Sequence, residues 1–426
     1  MIDLKLLREN LQEIEKKLKT KNPEVNLSSF TQLDEEIRKK QTLVESLKSE
    51  KNAASKKIGE KKRNGEDCSS LFEEMGKIGN QITSLDKEVT ELTKQREKIL
   101  LFLPNIPMDE ISVSLDPNDN VCIKEHGKKK SFSFPFKNHM ELNEKLKLFD
   151  FERGAKISGR GFPIYTNRGA KLEWALINYM LDTHRKNGYM HIMPPLLARQ
   201  ETMLGTGQLP KFEDQLFKIN DEDYHLYLIP TSEACLNGLH QNEIIDSDKL
   251  PFYYTSYTPC FRREAGAAGA NERGLIRTHQ FNKVELFCVC KPEESAKAFE
   301  KMLLSAQSIV EGLELHYRNM LLVTGDMSFP SAKTVDLEVF LPGQDRYYEV
   351  SSVSNCTDFQ ARRAKIRHKD KGGKPEFVHT LNGSGVATSR LMVGLLENHQ
   401  QEDGSVVLPK ALHPYLDEDM LHLKPE

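Results

Sequence analysis

This sequence lacks the makings of a disulfide or zinc framework. Its seven cysteines are scattered and odd in number. Cys288 and Cys290 stand one residue apart with no Cys/His pair nearby, which is not zinc-knuckle spacing. Reduced thiols and no zinc are expected, as in a cytoplasmic protein. No apolar run approaches the ~18 residues of a membrane span, and the opening MIDLKLLREN holds no targeting-type apolar stretch. The expectation is therefore a soluble protein of the cytoplasm with no membrane partner. An excess of one charge is missing too. With 60 Lys and Arg against 63 Asp and Glu, the net charge is -3, so any nucleic-acid contact must be a local patch. Neither a G-x-G-x-x-G run nor a P-loop occurs, which argues against a Rossmann enzyme. What is there is length: 426 residues allow two or three domains.

The N-terminal hundred residues carry the clearest periodicity. Leu33, Ile37, Lys40, Val44, Leu47, Lys51, Ala54 and Ile58 alternate steps of four and three, and so do Leu71, Met75, Ile78, Ile82, Leu85, Val89 and Leu92. Such spacing puts one apolar stripe on each of two helices, the seam of a coiled coil. The polar turn Arg63-Asn64-Gly65-Glu66-Asp67 lies between them, so the helices must fold back antiparallel into an arm of roughly 50 Å. Lys56, Lys57, Lys61, Lys62 and Arg63 crowd its tip against only Glu60. A rigid hairpin with a basic tip suits a phosphate backbone; a solvated coiled coil that spaces or dimerises subunits is equally compatible with the pattern.

From Pro104 to Asn120 the chain is rich in Pro, Asp and Asn without a sustained period, and 104–135 reads as a linker. Beyond it, Asn167 can cap a helix carrying Leu172, Trp174, Leu176, Tyr179 and Met180, with Gly188 as its stop. A short strand from Tyr189 to Met193 then ends at Pro194-Pro195.

Four stretches carry candidate chemistry. In TPCFRREAGAAGANERGLIRTHQFNKVELF, Thr258 to Phe287, two strands flank the small-residue loop Ala265 to Ala270. Arg262, Arg263 and Glu264 end the first strand, and Phe281 and Glu285 lie on the second. Arginine gives planar, permanently charged donors for phosphate oxygens, although Arg-x-Glu alone also fits a hairpin with solvated charges. Thr231-Ser232-Glu233 joins an apolar strand to a helix; it can hold a small ammonium group or simply cap the helix. In DRYYEVSSVSN, Glu349, Val350, Ser351 and Ser352 form a polar-faced strand whose oxygens suit Mg²⁺ shared with phosphates. Finally, Leu381 to Arg390 reads as a glycine-rich turn, with Gly383, Ser384 and Gly385, that leads into a helix. Close ligand approach and anion binding at the helix end are its uses, and Arg390 can contact a phosphate or stack on a base.

Taken together, these stretches resemble motifs 1, 2 and 3 of the class II aminoacyl-tRNA synthetases, in order, in their bacterial-type seryl form. The resemblance extends to Asp150–Gly159, Gly205–Phe212, the tail and the arm, which in that family holds the long variable arm of the tRNA. The implied fold is α+β: an antiparallel helical hairpin over 1–103, the linker, and over 136–426 a catalytic domain built on an antiparallel β-sheet flanked by helices, dimeric through motif 1. The implied reaction is ATP-dependent activation of L-serine with Mg²⁺, then transfer to serine tRNA, with selenocysteine tRNA as a further acceptor. By resemblance Arg262 engages the α-phosphate with Arg263 nearby, Glu264 the adenine side and Arg277 the distal phosphates. Phe281 and Arg390 sandwich the base, and Arg262, Glu264 and Arg390 form the catalytic set. Glu349 and Ser352 hold the metal, with Val350 and Ser351 between them along the ATP. Thr231, Ser232, Glu233, Glu285 and Ser384 contact serine, and the basic tip contacts tRNA. Thr388-Ser389 departs from the family, where smaller, more apolar residues are expected; this bears on packing beside Arg390. Two other classes stay in view: a tRNA-independent relative that loads a carrier protein, and a coiled-coil protein with a dead catalytic domain.

Overall fold

The computed structural model describes residues 1–264 and 274–425; the loop read at Ala265 to Ala270 lies outside the described residues. The chain divides into two compact units, one of Leu4–Lys19 with Pro23–Leu103, the other of Met1–Asp3, Thr20–Asn22 and Pro104–Glu426. No helix among the described residues is long and apolar enough to cross a membrane.

In the first unit, helices α1 (Ser28–Arg63) and α2 (Ser69–Leu101) pack side by side. Every position of the α1 stripe, Leu33 to Ile58, is buried or half-buried, and so is every α2 position from Leu71 to Leu92. The 4-3 spacing thus does select the packed faces. Cross-helix pairs run in opposite directions along the two chains: Asp34 with Arg96, Lys40 with Glu88, Lys48 with Asp86. Gly65 makes the reversal at φ +75°, a region that costs glycine little. At the other end the buried Asp34 carboxylate accepts from Arg8 Nε and Nη2 at 2.8 and 2.7 Å and from Arg96 Nη1 at 2.6 Å. Hydrogen bonds from Arg8, then Arg96, hold this carboxyl below its usual range despite burial. The clamp fixes the base of the hairpin.

The second unit is built on an eight-stranded sheet. Its strands are β1 (Val121–His126), β2 (Met190–His191), β3 (Phe252–Phe261), β4 (Gln280–Cys290), β5 (Tyr317–Leu321), β6 (Lys333–Leu341), β7 (Arg346–Asn355) and β8 (His379–Ala387), in the order β1-β5-β6-β7-β8-β4-β3-β2. All neighbours are antiparallel except β2 and β3. Helices α3 (Asn167–Lys186), α4 (Ser295–Gly312) and α5 (Thr388–His399) cover one face through Leu172, Leu176, Met180, Ile309, Leu391 and Leu395. Leu236, Ile366 and Val378 pack with Phe287 and Val289 in a separate cluster. Because β4 is central and covered on both faces, every residue from Lys283 to Cys290 is buried. A carboxylate at Glu285 in such a run is there at a cost, and that marks it.

Two details differ from the pattern reading. Within 104–135, Val121–His126 is an edge strand paired to β5; all six residues are exposed, so no burial alternation announces it. Thr166, not Asn167, stands at the N-cap of α3, with Asn167 inside the first turn at φ +34°.

Candidate active site

The sheet delivers its polar residues to one cavity, lined by Arg262, Glu264, Ile276, Arg277, Thr278, Phe281, Lys283, Glu349, Val350, Ser384, Ala387, Ser389 and Arg390. At one end β3 and β4 pair Cys260 with Phe281. Past that point Arg262 N–H donates to His279 O at 2.8 Å, which prolongs the ladder and fixes where the side chain departs. Its guanidinium lies 5.2 Å from the Phe281 ring centroid. Glu264, at φ +50°, accepts from Arg277 Nε at 2.8 Å. The cation over Phe281 is thus Arg262, whereas Arg390 donates to Glu349 O at 2.7 Å and stands 3.5 Å from its carboxylate. Arg263 is exposed and is not part of the lining.

Glu349 and Ser352 are three residues apart, which ordinarily puts them on opposite faces of a strand. A register shift resolves this. Glu349 pairs with Glu338 and Ser352 with Asp336, so one extra β7 residue is accommodated between them and both come to the same face. Burial, then the nearby Glu349 charge, pushes the Asp336 carboxyl well up. Val350 lines the cavity. Ser351 is buried and donates to Ser384 O, a structural bond between β7 and β8.

Beyond Lys283, which lines the cavity, the polar residues are buried and lie outside its lining. Thr231, Ser232, Glu233, Lys283 and Glu285 are all buried. Thr231 Oγ1 donates to Glu285 Oε2 at 3.1 Å and accepts from Lys283 Nζ at 2.8 Å and from Glu233 N–H at 3.2 Å. Lys283 also pairs with Glu285 Oε2. Glu285 Oε1 and Ser232 Oγ have no hydrogen-bond partner among the described residues. Ser384 stands directly across from Glu285 on β8. Burial raises the Glu285 carboxyl, opposed chiefly by Lys283, and burial followed by the Glu285 charge pushes Glu233 up to about 7. Glu233 in turn accepts from Gln360 Nε2 at 2.6 Å.

Gly383 and Gly385 lie within β8, not in a turn, and the helix starts only at Thr388. The reason for glycine at 385 is a neighbour: an added Cβ would come 2.6 Å from His184 Nε2. That buried imidazole donates from Nε2 to Gly385 O at 3.2 Å and accepts from Ser305 Oγ at 2.8 Å. Burial pushes it down to about 4, so it stays neutral. The unusual Thr388 is also explained. Its hydroxyl reaches Glu173 and, at 2.9 Å, Asn282 O, while Asn282 Nδ2 donates to Glu173 Oε1 at 2.9 Å.

Burial pushes Glu173 up to about 7. A folded-state value above the unfolded one means that its stabilisation is full below the unfolded value and is lost as pH rises through about 7. A shift of this size is worth roughly 3 kcal/mol. The melting temperature should therefore fall between about pH 4.5 and pH 7 and level off above about pH 8. Glu173→Gln keeps the acceptor and should flatten much of that fall, leaving the part due to Glu233, which titrates in the same sense. An unchanged slope would contradict this assignment.

Lys283, Glu173, His184 and Gln360 are not among the candidate site residues read from the sequence. Only Lys283 carries a legible signal there: Phe281-x-Lys283-x-Glu285 is period two, one face of a strand.

Residues 1–107 match the Seryl-tRNA synthetase N-terminal domain, and 216–399 the tRNA synthetase class II core domain (G, H, P, S and T). The chain is 50% identical over 416 residues to the serine–tRNA ligase of Chlamydia felis, covering 98% of each chain, and 47% identical to that of Chlamydia pneumoniae, covering 98% of this chain and 97% of the relative. Among solved structures it is similar to seryl-tRNA synthetase from Pyrococcus horikoshii complexed with ATP, with TM-score 0.94 and 38% identity over all of both chains. Cytoplasmic serine–tRNA ligase from Naegleria fowleri in complex with AMP gives 0.89 and 27%, covering 100% of this chain and 99% of that one. With the three motif regions gathered on one mostly antiparallel sheet and relatives that match nearly end to end, the chain belongs to the seryl-tRNA synthetase family.

Proposed function

We propose that the protein activates L-serine with ATP and transfers it to serine tRNA in the cytoplasm. The observation that carries this reading is the union of two subsites: a phosphate-suited wall of Arg262, Arg277 and Arg390 beside Phe281, continuous through Lys283 with the buried Thr231–Glu285 pair. Serine's carboxylate attacks the α-phosphorus, and pyrophosphate leaves. The nucleophile is already ionised, so the step needs no general base. Positioning and stabilisation of phosphate charge do the catalysis. Arg262 meets the α-phosphate and Arg277 the distal phosphates. Phe281 and Arg390 enclose the adenine, with Glu264 at its edge; this requires Arg262 to leave the Phe281 ring and Arg390 to loosen from Glu349. Glu349 and Ser352, on one face of β7, suit an Mg²⁺ ion, which would draw charge from the phosphate oxygens. The unpartnered Glu285 Oε1 is suited to the serine hydroxyl and Ser384 lies across from it; Ser232 and Glu233 complete the pocket.

The division into an arm over 1–103, a linker over 104–135 and a catalytic domain over 136–426 belongs to the same proposal. The arm would take the tRNA through Lys56, Lys57, Lys61, Lys62 and Arg63, and selenocysteine tRNA, if it presents the same long arm, would be a second acceptor. A homodimer is supported by apolar exposure on motif 1: Trp174 is 55% exposed, Met190 60% and Met193 81%. Loading of a carrier protein is the weaker reading, since residues 1–107 match the family's N-terminal domain. The experiment is parallel charging with ¹⁴C-serine of a serine-tRNA transcript and of a phosphopantetheinyl carrier protein. Charging of the tRNA alone is expected; charging of the carrier protein alone would overturn the proposal.

A further inference from the structure

Phe281, Lys283 and Glu285 alternate along β4 in unbroken register with β3, so their side chains share one face at intervals of roughly 6.5–7 Å. In the function proposed above, on which this inference rests, Phe281 meets the adenine and Glu285 the serine. Lys283 then stands midway, where the serine carboxylate must approach the α-phosphorus. It lines the same cavity as Arg262.

In the structure, however, the Lys283 ammonium faces the serine end. A hydroxyl has one hydrogen and two lone pairs. At Thr231 the hydrogen goes to Glu285 Oε2, and the lone pairs take Lys283 Nζ and Glu233 N–H. The group is full. Glu285 Oε2 is engaged by the same two side chains, Thr231 and Lys283. A serine ammonium can bond Thr231 only when one donor leaves. The Glu233 N–H is main chain at the start of a helix, whereas Lys283 is a flexible side chain that borders the cavity.

We infer that Lys283 holds the place of the substrate's ammonium before serine binds, and that serine displaces it into the cavity, where it contacts the serine carboxylate and the α-phosphate. One cation replaces another, so the buried Glu285 carboxylate is paired both before and after binding, and no stage leaves a lone charge in the interior. The displaced ammonium joins Arg262 on the developing phosphate charge. Serine binding thereby completes the phosphate site.

Two measurements test this. In Lys283→Met, calorimetric serine affinity at mildly alkaline pH should stay within about threefold of wild type or tighten, because a competitor is gone, while serine-saturated pyrophosphate exchange should fall on the order of a hundredfold. A permanent strut behaves in the opposite way: affinity weakens tenfold or more and the saturated rate returns to near wild type. That result would overturn the inference. The second measurement uses wild-type protein, so folding of a variant does not enter. Trinitrobenzenesulfonate modification of the Lys283 peptide, read by mass spectrometry, should rise severalfold with saturating L-serine in the absence of ATP. Unchanged or reduced labelling would also overturn it. If the wild type shows no serine-dependent exchange, the serine reading itself fails; if it exchanges normally and Lys283 does not respond, only this inference does.

Discussion

Replacing Arg262 with alanine lowers serine-dependent pyrophosphate exchange by a hundredfold or more in a protein that remains folded. The guanidinium is half-buried and lightly held, by a 3.4 Å bond to Pro230 O and the face of Phe281. Its main-chain bonds to His279 survive the substitution, so β3 and β4 keep their register. What is lost is a donor aimed at charge that builds up in the transition state, and the removal of one such donor typically costs ~10²–10³. Thermal melting within a few degrees of wild type accompanies the loss. Exchange within tenfold of wild type would refute the assignment.

Shortening the arm separates the two half-reactions. A cut is best placed above the Arg8–Asp34–Arg96 clamp, where Lys40 and Glu88 meet at 2.7 Å and a short glycine-containing turn can join the helices. Every adenylate-site residue named above lies after Tyr224, so serine activation should stay near wild type. Serylation of tRNA should collapse by something on the order of 10³, since the phosphate-contacting tip is gone. In the intact arm Lys56 and Lys57 are exposed, whereas Lys61 is paired with Glu66 at 3.1 Å and Lys62 lies over Phe72. Charge reversal at Lys56 and Lys57 should therefore act most cleanly. For each phosphate that is no longer neutralised, the log–log salt dependence of tRNA binding should flatten by about 0.9. An arm that only spaces subunits leaves serylation and activation equally intact.

The helical hairpin was legible because its signal is local: a seam repeats every 3.5 residues and its apolar positions are the ones that pack. The order of the three motif regions was legible as well, through resemblance. Edge strand β1 was not, because exposure on both faces erases the alternation that marks a strand. Thr388 looked out of place in sequence, and only the fold reveals the buried Glu173 that its hydroxyl meets from 215 positions away. Gly385 reads as a turn residue until His184, 201 positions earlier, is found against it. The same holds for Glu349 and Ser352, whose shared face depends on an extra residue in the ladder that spacing alone does not reveal. In each case a long-range contact, not local propensity, decides the residue.

The most direct test of the account is ATP–pyrophosphate exchange with purified protein across the twenty standard amino acids, without tRNA. Serine should drive exchange and alanine should fall behind by roughly 10⁴, because the buried Glu285 and Ser384 groups that meet the hydroxyl would be left unpaired. Threonine should be excluded less strongly, by the room for one methyl. Alanine exchanging as fast as serine, or an amino acid other than serine giving the highest rate, would contradict the account.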